Sequence, residues 1–416
     1  MIQAANDEAL NRLENASPRL VDICQAKDVL KDFDQYTVLH AGPPIEYPAM
    51  CAPMKEAVHA ALMYEGLAED REQAAALAGS GRIRYKTCHE AGAVGPMTGV
   101  TTWSMPLLVV ENTACGNAAY STINEGAGDV IRFGACTGRT VKRLHWIEEE
   151  LAPALKRAVD RLGGLDVSAL MSQALSMGDE LHMRNIASSM ILLHRLAYPL
   201  SQVCPGPELG RILQFLTTKN DQFFLNIAMA SNKSAADAAD GIKESTIVTA
   251  IARNGVEVGI RISGLPGQWF TAPAPLVDGL YFSGFSQEDA NGDIGDSAIM
   301  EVNGFGGFAM AASPAIVRLL GIQDTDEAVA FTKTMRGICR GEHRKYTIPG
   351  LNFSGLPLGI DVMKVVETAV TPGINTAIVS KEPGVGMIGA GLSRVPFEAF
   401  EKALIAFDAS LGEEGK

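Results

Sequence analysis

Two histidines are the first candidates for acid–base chemistry. His89 follows Cys88 and precedes a glycine-flanked loop, and an imidazole in such a loop is a candidate for moving a proton. Cys88 and His89 do not form a catalytic dyad in this interpretation, since adjacent side chains on a strand point apart. The alternative is a structural histidine that its neighbours satisfy.

The second histidine, His182, lies in a polar segment, residues 177–185, between apolar stretches. Glu180 and Arg184 form an i,i+4 pair if the segment is helical. Arg184 could then bind a carboxylate or phosphate bidentately, with Asn185 beside it. Helix capping with a salt bridge is the alternative. We predict no metal here, because no second histidine occurs at ligand spacing.

Carboxamides are frequent near two predicted turns. Asn112 and Asn117 lie within a few residues of each other, and Asn254 follows Arg253 at a hairpin turn. A carboxamide both donates and accepts, which suits an amide, ureido or carbamoyl group, although such side chains more commonly cap turns. Arg253 and Arg261 lie at opposite ends of the hairpin, so at most one is expected to bind the ligand. We predict Arg253.

A glycine-rich stretch holds Gly304, Gly306 and Gly307 and precedes residues 313–320, which are predicted to form a helix. Glycine admits close backbone approach, and the first N–H groups of a helix lack internal partners, so the pattern predicts an anion cradle. Tight turns around a buried helix are the alternative. The preceding aspartates lack EF-hand spacing and are predicted to build turns or contact partners.

The totals describe a folded acidic protein. The chain has 416 residues, 47% of them hydrophobic, and a formal net charge of −13. Such a charge argues against a nucleic-acid surface. Seven cysteines without a CxxC pair predict free thiols in a reducing compartment. The N-terminus lacks an apolar signal core, so we predict a cytoplasmic protein. No cofactor motif is recognised, and magnesium shared with a phosphate remains an alternative.

The hydrophobic patterns predict a mixed α+β architecture with several domains. We expect N-terminal helices in residues 1–35, a first α+β domain in 36–140, a small helical domain in 141–218 and a second α+β domain in 219–416. Residues 37–40, 107–110, 129–133 and 375–379 are predicted strands. A hairpin is expected around Asn254 and Gly255, with helices at 222–239, 325–338 and 396–407.

Several phrases, in order and over nearly the whole chain, resemble the YlbE-like proteins. They are His40-Ala41-Gly42-Pro43-Pro44, Ala93-Val94-Gly95-Pro96-Met97, Met177-Gly178-Asp179-Glu180, Phe223-Phe224-Leu225-Asn226, Ala252-Arg253-Asn254-Gly255, Asp289-Ala290-Asn291, Asp293-Ile294-Gly295-Asp296-Ser297 and Ile388-Gly389-Ala390-Gly391. The resemblance implies a multidomain α/β fold with a small helical domain. Many relatives also carry a Rossmann-like N-terminal region, and this chain is expected to lack it.

The same resemblance implies a function. YlbE-like proteins are encoded with FdrA-like proteins, and some belong to a multisubunit oxamate carbamoyltransferase of allantoin breakdown. That enzyme interconverts oxalurate plus phosphate with oxamate plus carbamoyl phosphate. The chain is therefore expected to be an oligomeric subunit of such an enzyme, with an FdrA-like partner and without a membrane partner. An amide hydrolase or ligase and a non-catalytic scaffold are the alternatives.

Overall fold

The computed structural model describes residues 1–218 and 220–413, which contain helices and several small sheets. The strands are β1 Pro18–Gln25, β2 Thr37–His40, β3 Arg84–Thr87, β4 Pro106–Asn112, β5 Asn117–Thr122, β6 Leu165–Asp166, β7 Val248–Asn254, β8 Glu257–Ile262, β9 Phe270–Pro273, β10 Asp278–Tyr281, β11 Ile294–Gly295, β12 Cys339–Ile348, β13 Ser354–Ile360, β14 Gly373–Val379 and β15 Met387–Arg394.

The α-helices are α1 Ile2–Asn15, α2 Ala26–Val29, α3 Ala52–Tyr64, α4 Arg71–Ala78, α5 Gly138–Trp146, α6 Ala152–Leu162, α7 Val167–Ser176, α8 Ile186–Val203, α9 Gly206–Thr217, α10 Leu225–Ala238, α11 Ile299–Val302, α12 Thr325–Gly337, α13 Val362–Thr368 and α14 Phe397–Glu413. A π-helical turn, Ile147–Leu151, joins α5 to α6. The predicted mixture of helix and sheet is confirmed.

Residues 1–35 are predicted to be helical. Helix α1 forms as expected, but residues 18–25 form strand β1 instead. It lies inside a four-stranded sheet of order β5-β4-β1-β6, antiparallel to both of its neighbours. A register shift between Leu20 and Asp22 interrupts the alternation of buried and exposed residues. That bulge explains why the sequence pattern did not indicate a strand. The sheet joins segments that the sequence assigns to three different domains.

A second four-stranded sheet, of order β11-β7-β8-β9, carries the predicted hairpin. β7 and β8 are antiparallel around Asn254 and Gly255, whose φ of +84° suits the turn. Asn254 accepts hydrogen bonds from the N–H groups of Val256 and Glu257, at 3.0 and 2.7 Å. The hairpin is therefore confirmed, and it places Arg253 next to β11.

Helix α10 packs between the two sheets. Its residues 225–236 are all buried, and it contacts β4 and β5 on one side and α11 and β7 elsewhere. Alanine and serine dominate the sequence of α10, so the surrounding backbones approach closely. A helix that contains a lysine is seldom buried on all sides. Lys233 lies on α10 and has a relative exposure of 1%.

Two further predicted elements differ from the structure. Residues 131–133 form a 3₁₀ turn rather than a strand. Residues 314–321 form successive turns rather than a helix, and the hydrogen bonds from Ile316 N to Ser313 O and from Leu320 N to Ile316 O do not continue as a ladder. The predicted helices at 222–239, 325–338 and 396–407 correspond to α10, α12 and α14.

The described residues also bear on a membrane location. Between residues 1 and 413, leaving out residue 219, no helix combines the length and the apolar character that crossing a bilayer requires.

Candidate functional site

Five separate elements each contribute a polar side chain to one group, which we call the His89 site. His89 begins the 3₁₀ turn after β3, Lys233 projects from α10, and Arg261 lies near the end of β8. Trp269 immediately precedes β9, and Asp296 immediately follows β11. The His89 and Asp296 side chains are fully buried.

Asp296 is held by backbone groups from two loops. Gly42 N donates to its Oδ1 at 2.8 Å, and Gly95 N donates to its Oδ2 at 3.0 Å. His89 Nε2 lies 3.7 Å from Oδ1. Burial raises the pKa of Asp296 to about 7, although the two N–H groups and the charges of Arg253 and Lys233 oppose that shift. This carboxyl group can therefore gain or lose a proton near neutral pH.

The surroundings of His89 are cationic. Burial, followed by the charges of Lys233 and Arg261, holds the pKa of His89 well below its ordinary value. Its imidazole is therefore neutral at physiological pH and can donate one hydrogen bond without carrying a charge. The His89 ring also meets the Trp269 ring edge to face, with centroids 5.5 Å apart.

The two cations of the His89 site each have an acidic partner. Lys233 Nζ bonds to Asp237 Oδ1, four residues along α10, and Arg261 Nη2 bonds to Asp240 Oδ2 at 2.7 Å. Arg261 also lies 5.9 Å from the centre of the Trp269 ring. These contacts fix the direction of the positive groups and give each of them a carboxylate partner.

Several polar atoms of the His89 site have no hydrogen-bond partner among the described residues. They are both ring nitrogens of His89, Nε1 of Trp269 and Nε of Arg261. A buried polar group without a partner costs about 1–3 kcal/mol, so a ligand or water that satisfies it stabilises the arrangement. Donors beside two cations are suited to a small anion with a polar acyl group.

A second group, which we call the His182 site, consists of His182, Glu301, Arg184, Asn185 and Asn375. His182 Nδ1 contacts both carboxylate oxygens of Glu301, at 2.8 and 2.9 Å. Glu301 Oε1 also accepts from Gly307 N at 3.0 Å and from Asn375 N at 3.2 Å. The segment from His182 to Arg184 is anchored by the Glu180 carboxylate, which accepts hydrogen bonds from the N–H groups of residues 182, 183 and 184. Burial raises the pKa of Glu180 to about 7.

The glycines predicted to cradle an anion have other partners. Gly306 N donates to Glu180 O at 2.8 Å, Gly304 N to Glu301 O at 3.0 Å, and Gly307 N to the Glu301 side chain. None of these three N–H groups is directed at an open site in the described structure. The glycines are needed for close packing instead, since a Cβ at Gly304 would lie 2.1 Å from Pro357 O. The stretch builds the His182 site rather than an anion cradle.

Arg253 is part of a buried ion pair. Its Nε and Nη2 contact Asp293 at 3.0 and 3.3 Å, and its Nη1 donates to Gly295 O at 2.7 Å. Nη2 also reaches Thr376 Oγ1 at 3.3 Å. Protein groups thus occupy all three guanidinium nitrogens. The structure therefore gives Arg253 a positioning contact to the strand that leads to Asp296, and no free group for an anion.

The predicted carboxamides outside the His182 site mostly hold the fold together. Asn112 accepts from Ser17 N at 2.9 Å, and Asn254 donates to Pro43 O at 3.1 Å. Asn117 donates to Ser234 O at 2.8 Å, and its Oδ1 has no described partner. Of this set, Asn117 alone presents a buried atom that a ligand could use.

Sequence reasoning did not select Lys233, Trp269 or Asn375, and it preferred Arg253 to Arg261. One signal was available for Lys233, because a single lysine in a helix of alanine, serine and other small residues has few solvent-facing neighbours. Asp296 belonged to the acidic loop that was predicted to build turns. Its contact with His89 links residues 207 positions apart, which periodicity does not reveal.

Two surface clefts lie near helices α5 and α9, with volumes of about 470 and 640 Å³. Lys142, Trp146 and Arg211 line both of them. Arg211 is paired with Glu150 at 2.8 Å, and neither cleft contains a residue of the His89 or His182 site.

Within residues 1–218 and 220–413, no group of three or more His, Cys, Asp or Glu side chains is placed to hold a metal ion.

Comparison with known proteins identifies the family. The family model for the oxamate carbamoyltransferase subunit AllG matches residues 83–297, a range that contains every member of the His89 site. Oxamate carbamoyltransferase subunit AllG of Escherichia coli (strain K12) is 44% identical over 414 residues, covering 99% of both chains. The chain belongs to the AllG family.

The names of two further similar proteins state no activity. The uncharacterized protein YahG of Escherichia coli (strain K12) is 46% identical over 406 residues, which cover 98% of this chain and 86% of YahG. A crystal structure of a conserved protein of unknown function from Enterococcus faecalis V583 is 46% identical, with a TM-score of 0.96 and 98% coverage of each chain. The AllG relationship agrees with the predicted kinship to a carbamoyltransferase subunit, while the YlbE-like label stays a prediction.

Proposed function

We propose that this protein is a subunit of an oxamate carbamoyltransferase and that the His89 site carries the transfer. The AllG relative, which bears that enzyme's name, matches the chain from end to end. The assignment of the reaction to this site rests on two buried cations, Lys233 and Arg261, which lie beside donors that have no hydrogen-bond partner among the described residues. The proposed setting is cytoplasmic allantoin breakdown together with an FdrA-like subunit.

The reaction exchanges a carbamoyl group between nitrogen and phosphate oxygen. In one direction, a phosphate oxygen attacks the terminal ureido carbon of oxalurate, and the bond from that carbon to the oxamate nitrogen breaks. The nitrogen then takes up a proton, which gives oxamate and carbamoyl phosphate. In the other direction, the oxamate nitrogen attacks carbamoyl phosphate, loses a proton and releases phosphate. Negative charge develops on the carbamoyl oxygen in both directions.

The His89 site has a group for each requirement. Lys233 and Arg261 attract the phosphate, and their partners Asp237 and Asp240 hold them in place. The neutral His89 ring donates to the developing oxyanion. Asp296, whose pKa is about 7, accepts the proton from the oxamate nitrogen or returns it in the opposite direction. Carbamoyl transfer depends mainly on positioning and electrostatics, so a covalent nucleophile is not required.

The experiment follows oxalurate formation and phosphate release from oxamate and carbamoyl phosphate. The protein is assayed alone and with an FdrA-like partner. Lys233→Met and Lys233→Arg are compared with Lys142→Met, which removes an exposed lysine from α5. We expect Lys233→Met to lower kcat/KM at least 100-fold, Lys233→Arg to restore part of it, and Lys142→Met to stay within about twofold.

Three results would count against the proposal. An inactive wild-type complex would remove the transferase assignment. Hydrolysis of oxalurate that does not depend on phosphate would indicate an amide hydrolase. Unchanged activity of the complex with folded Lys233→Met and with His89→Phe would indicate a scaffold subunit, with the reacting groups on the partner.

A further inference from the structure

The polar groups of the His89 site lie below the protein surface. His89, Lys233 and Asp296 are at most 2% exposed, and Arg261 is 8% exposed. A solute therefore reaches these groups only after part of the protein moves. Trp269 is the one member of the site that is partly exposed, which makes its ring the first candidate for the moving part.

The Trp269 ring fills the space between His89 and the neighbouring strand β8. It meets the His89 ring edge to face, with centroids 5.5 Å apart, and the Arg261 guanidinium lies 5.9 Å from its centre. A glycine of β8 makes room for it, since a Cβ at Gly259 would lie 2.8 Å from Trp269 Cε3 and 3.0 Å from Pro43 Cβ. Glycine in a strand permits such close approach. The indole therefore covers His89.

Trp269 follows an exposed loop whose start is fixed. Gly264 N donates to Ser245 O at 2.8 Å, and a Cβ at Gly264 would lie 2.6 Å from that oxygen. Residues 266–268 are exposed, and a Cβ at Gly267 would meet nothing within 4 Å. An exposed loop tip with few packed neighbours moves at low cost, and Trp269 is attached directly to this one.

A second approach to the site, at the end of α10, is unfavourable for an anion. The side chains of Asp237 and Asp240 are 27% and 18% exposed there, and each is more exposed than the cation with which it pairs. An anion approaching from that end meets negative charge first. The indole of Trp269 is uncharged and faces Arg261, so its side is the favourable one.

The indole nitrogen favours a closed ring when the site is filled. Trp269 Nε1 is buried and has no hydrogen-bond partner among the described residues. The N–H of a buried tryptophan usually has a partner, and a donor without one costs stability. An anion beside His89 would supply the acceptor, so closure is more favourable with the anion than without it.

We propose that Trp269 is the gate of the His89 site: its ring turns away to admit an anion and closes over it, with Nε1 donating to the bound anion. The proposal rests on the proposed function in placing an anion at this site. Removal of the ring exposes His89 whether or not carbamoyl transfer takes place there, so the two proposals can fail separately.

Carbethoxylation of His89 by diethyl pyrocarbonate, followed for each histidine by mass spectrometry, measures how often the gate opens. The reagent acylates a neutral imidazole nitrogen, and burial with the charges of Lys233 and Arg261 holds the pKa of His89 well below its ordinary value. His194 is exposed and reports the activity of the reagent, whereas His343 is buried and reports general loosening of the fold.

Two variants open the gate in different ways. Trp269→Ala removes the ring, and Gly259→Ala displaces it with the new Cβ. We expect carbethoxylation of His89 to be about tenfold faster or more in Trp269→Ala and about threefold faster or more in Gly259→Ala, with the rate at His343 unchanged. Trp146→Ala removes a partly exposed indole from α5, and this matched control should stay within about twofold of the wild type.

Inorganic phosphate separates the gate from the proposed function. Phosphate should slow the carbethoxylation of wild-type His89, because the ring closes over the bound anion, and Lys233→Met should abolish that protection. Unchanged labelling of His89 in both Trp269→Ala and Gly259→Ala would overturn the gate and leave the proposed function standing. Faster labelling in both variants without protection by phosphate would keep Trp269 as the cover of His89 and count against the proposed function. If Trp269→Ala also speeds the labelling of His343, the result with Gly259→Ala decides.

Discussion

The Arg253 and Asp293 pair offers a direct test of whether Arg253 positions the site or binds the anion. Both side chains are 1% exposed, and Nε of Arg253 lies 3.0 Å from Oδ2 of Asp293. Breaking a buried ion pair by removing one partner typically costs about 3–5 kcal/mol, since the other charge stays buried without compensation. Arg253→Met should therefore lower the free energy of unfolding by about that amount.

A double-mutant cycle isolates the pair. Asp293→Asn alone leaves the Arg253 guanidinium buried opposite a neutral group, so it should also destabilise the protein. The double variant has no uncompensated charge, and we expect it to recover about 2 kcal/mol or more relative to the sum of the single effects. Urea unfolding of the wild type, both single variants and the double variant measures this coupling.

The same variants distinguish the two roles in activity. If Arg253 acts by fixing Gly295 and so Asp296, Arg253→Met should lower kcat together with stability, and phosphate affinity should change little. A cost below about 1 kcal/mol, combined with a tenfold or larger loss of phosphate affinity, would refute this reasoning. Arg253 would then be the anion-binding group that the sequence predicts.

Three further predictions concern single groups. Ionisation of Asp296, with its pKa of about 7, should make the rate of oxamate carbamoylation rise toward pH 7 and level above it, and Asp296→Asn should remove that dependence. Because this pKa is raised above the unfolded value, ionisation costs stability as the pH increases from about 4 to about 7, so urea unfolding should show a smaller decrease over that interval in Asp296→Asn than in the wild type. Gly304→Ala, at φ +86° with its Cβ 2.1 Å from Pro357 O, should cost about 3 kcal/mol or more in urea unfolding, whereas Gly163→Ala, at φ +66° in open space, should cost about 1 kcal/mol. Glu301→Gln should lower the free energy of unfolding by about 1–3 kcal/mol in urea, because an amide Nε2 in the position of Oε2, 2.9 Å from His182 Nδ1, cannot accept a hydrogen bond.

The elements that could be predicted from the sequence are those with local signals. The hairpin of β7 and β8 follows from Asn254-Gly255 between apolar strands. The helix predicted at 325–338 corresponds to α12, which Asp324 caps at its N-terminus. Strand β1 could not be predicted in this way, since its bulge removes the period of two. Its partners β4 and β6 come from much later in the chain, and pairing of that kind leaves no local trace.

The candidate sites show the same division. His89, His182, Arg184 and Asn185 could be selected by residue type and by their polar surroundings. Their partners were not predictable, because each belongs to a distant element. Periodicity places Lys233 on a helix but does not show that the helix is buried on every side. Lysines are seldom fully buried, whereas Lys233 is 1% exposed.

The glycine-broken segment from Asp293 to Gly307 contributes side chains that hold residues of both sites, and its glycine N–H groups bond to protein groups rather than to an anion. Asp293 anchors Arg253, Asp296 faces His89, and Glu301 holds His182. Glu301 lies in α11, a single buried turn that begins three residues after Asp296 and packs against α10. Because well-packed interiors transmit small displacements rather than absorb them, Asp296 and Glu301 are not independent in space. Asp296 and Glu301 therefore belong to one short, buried segment of the chain.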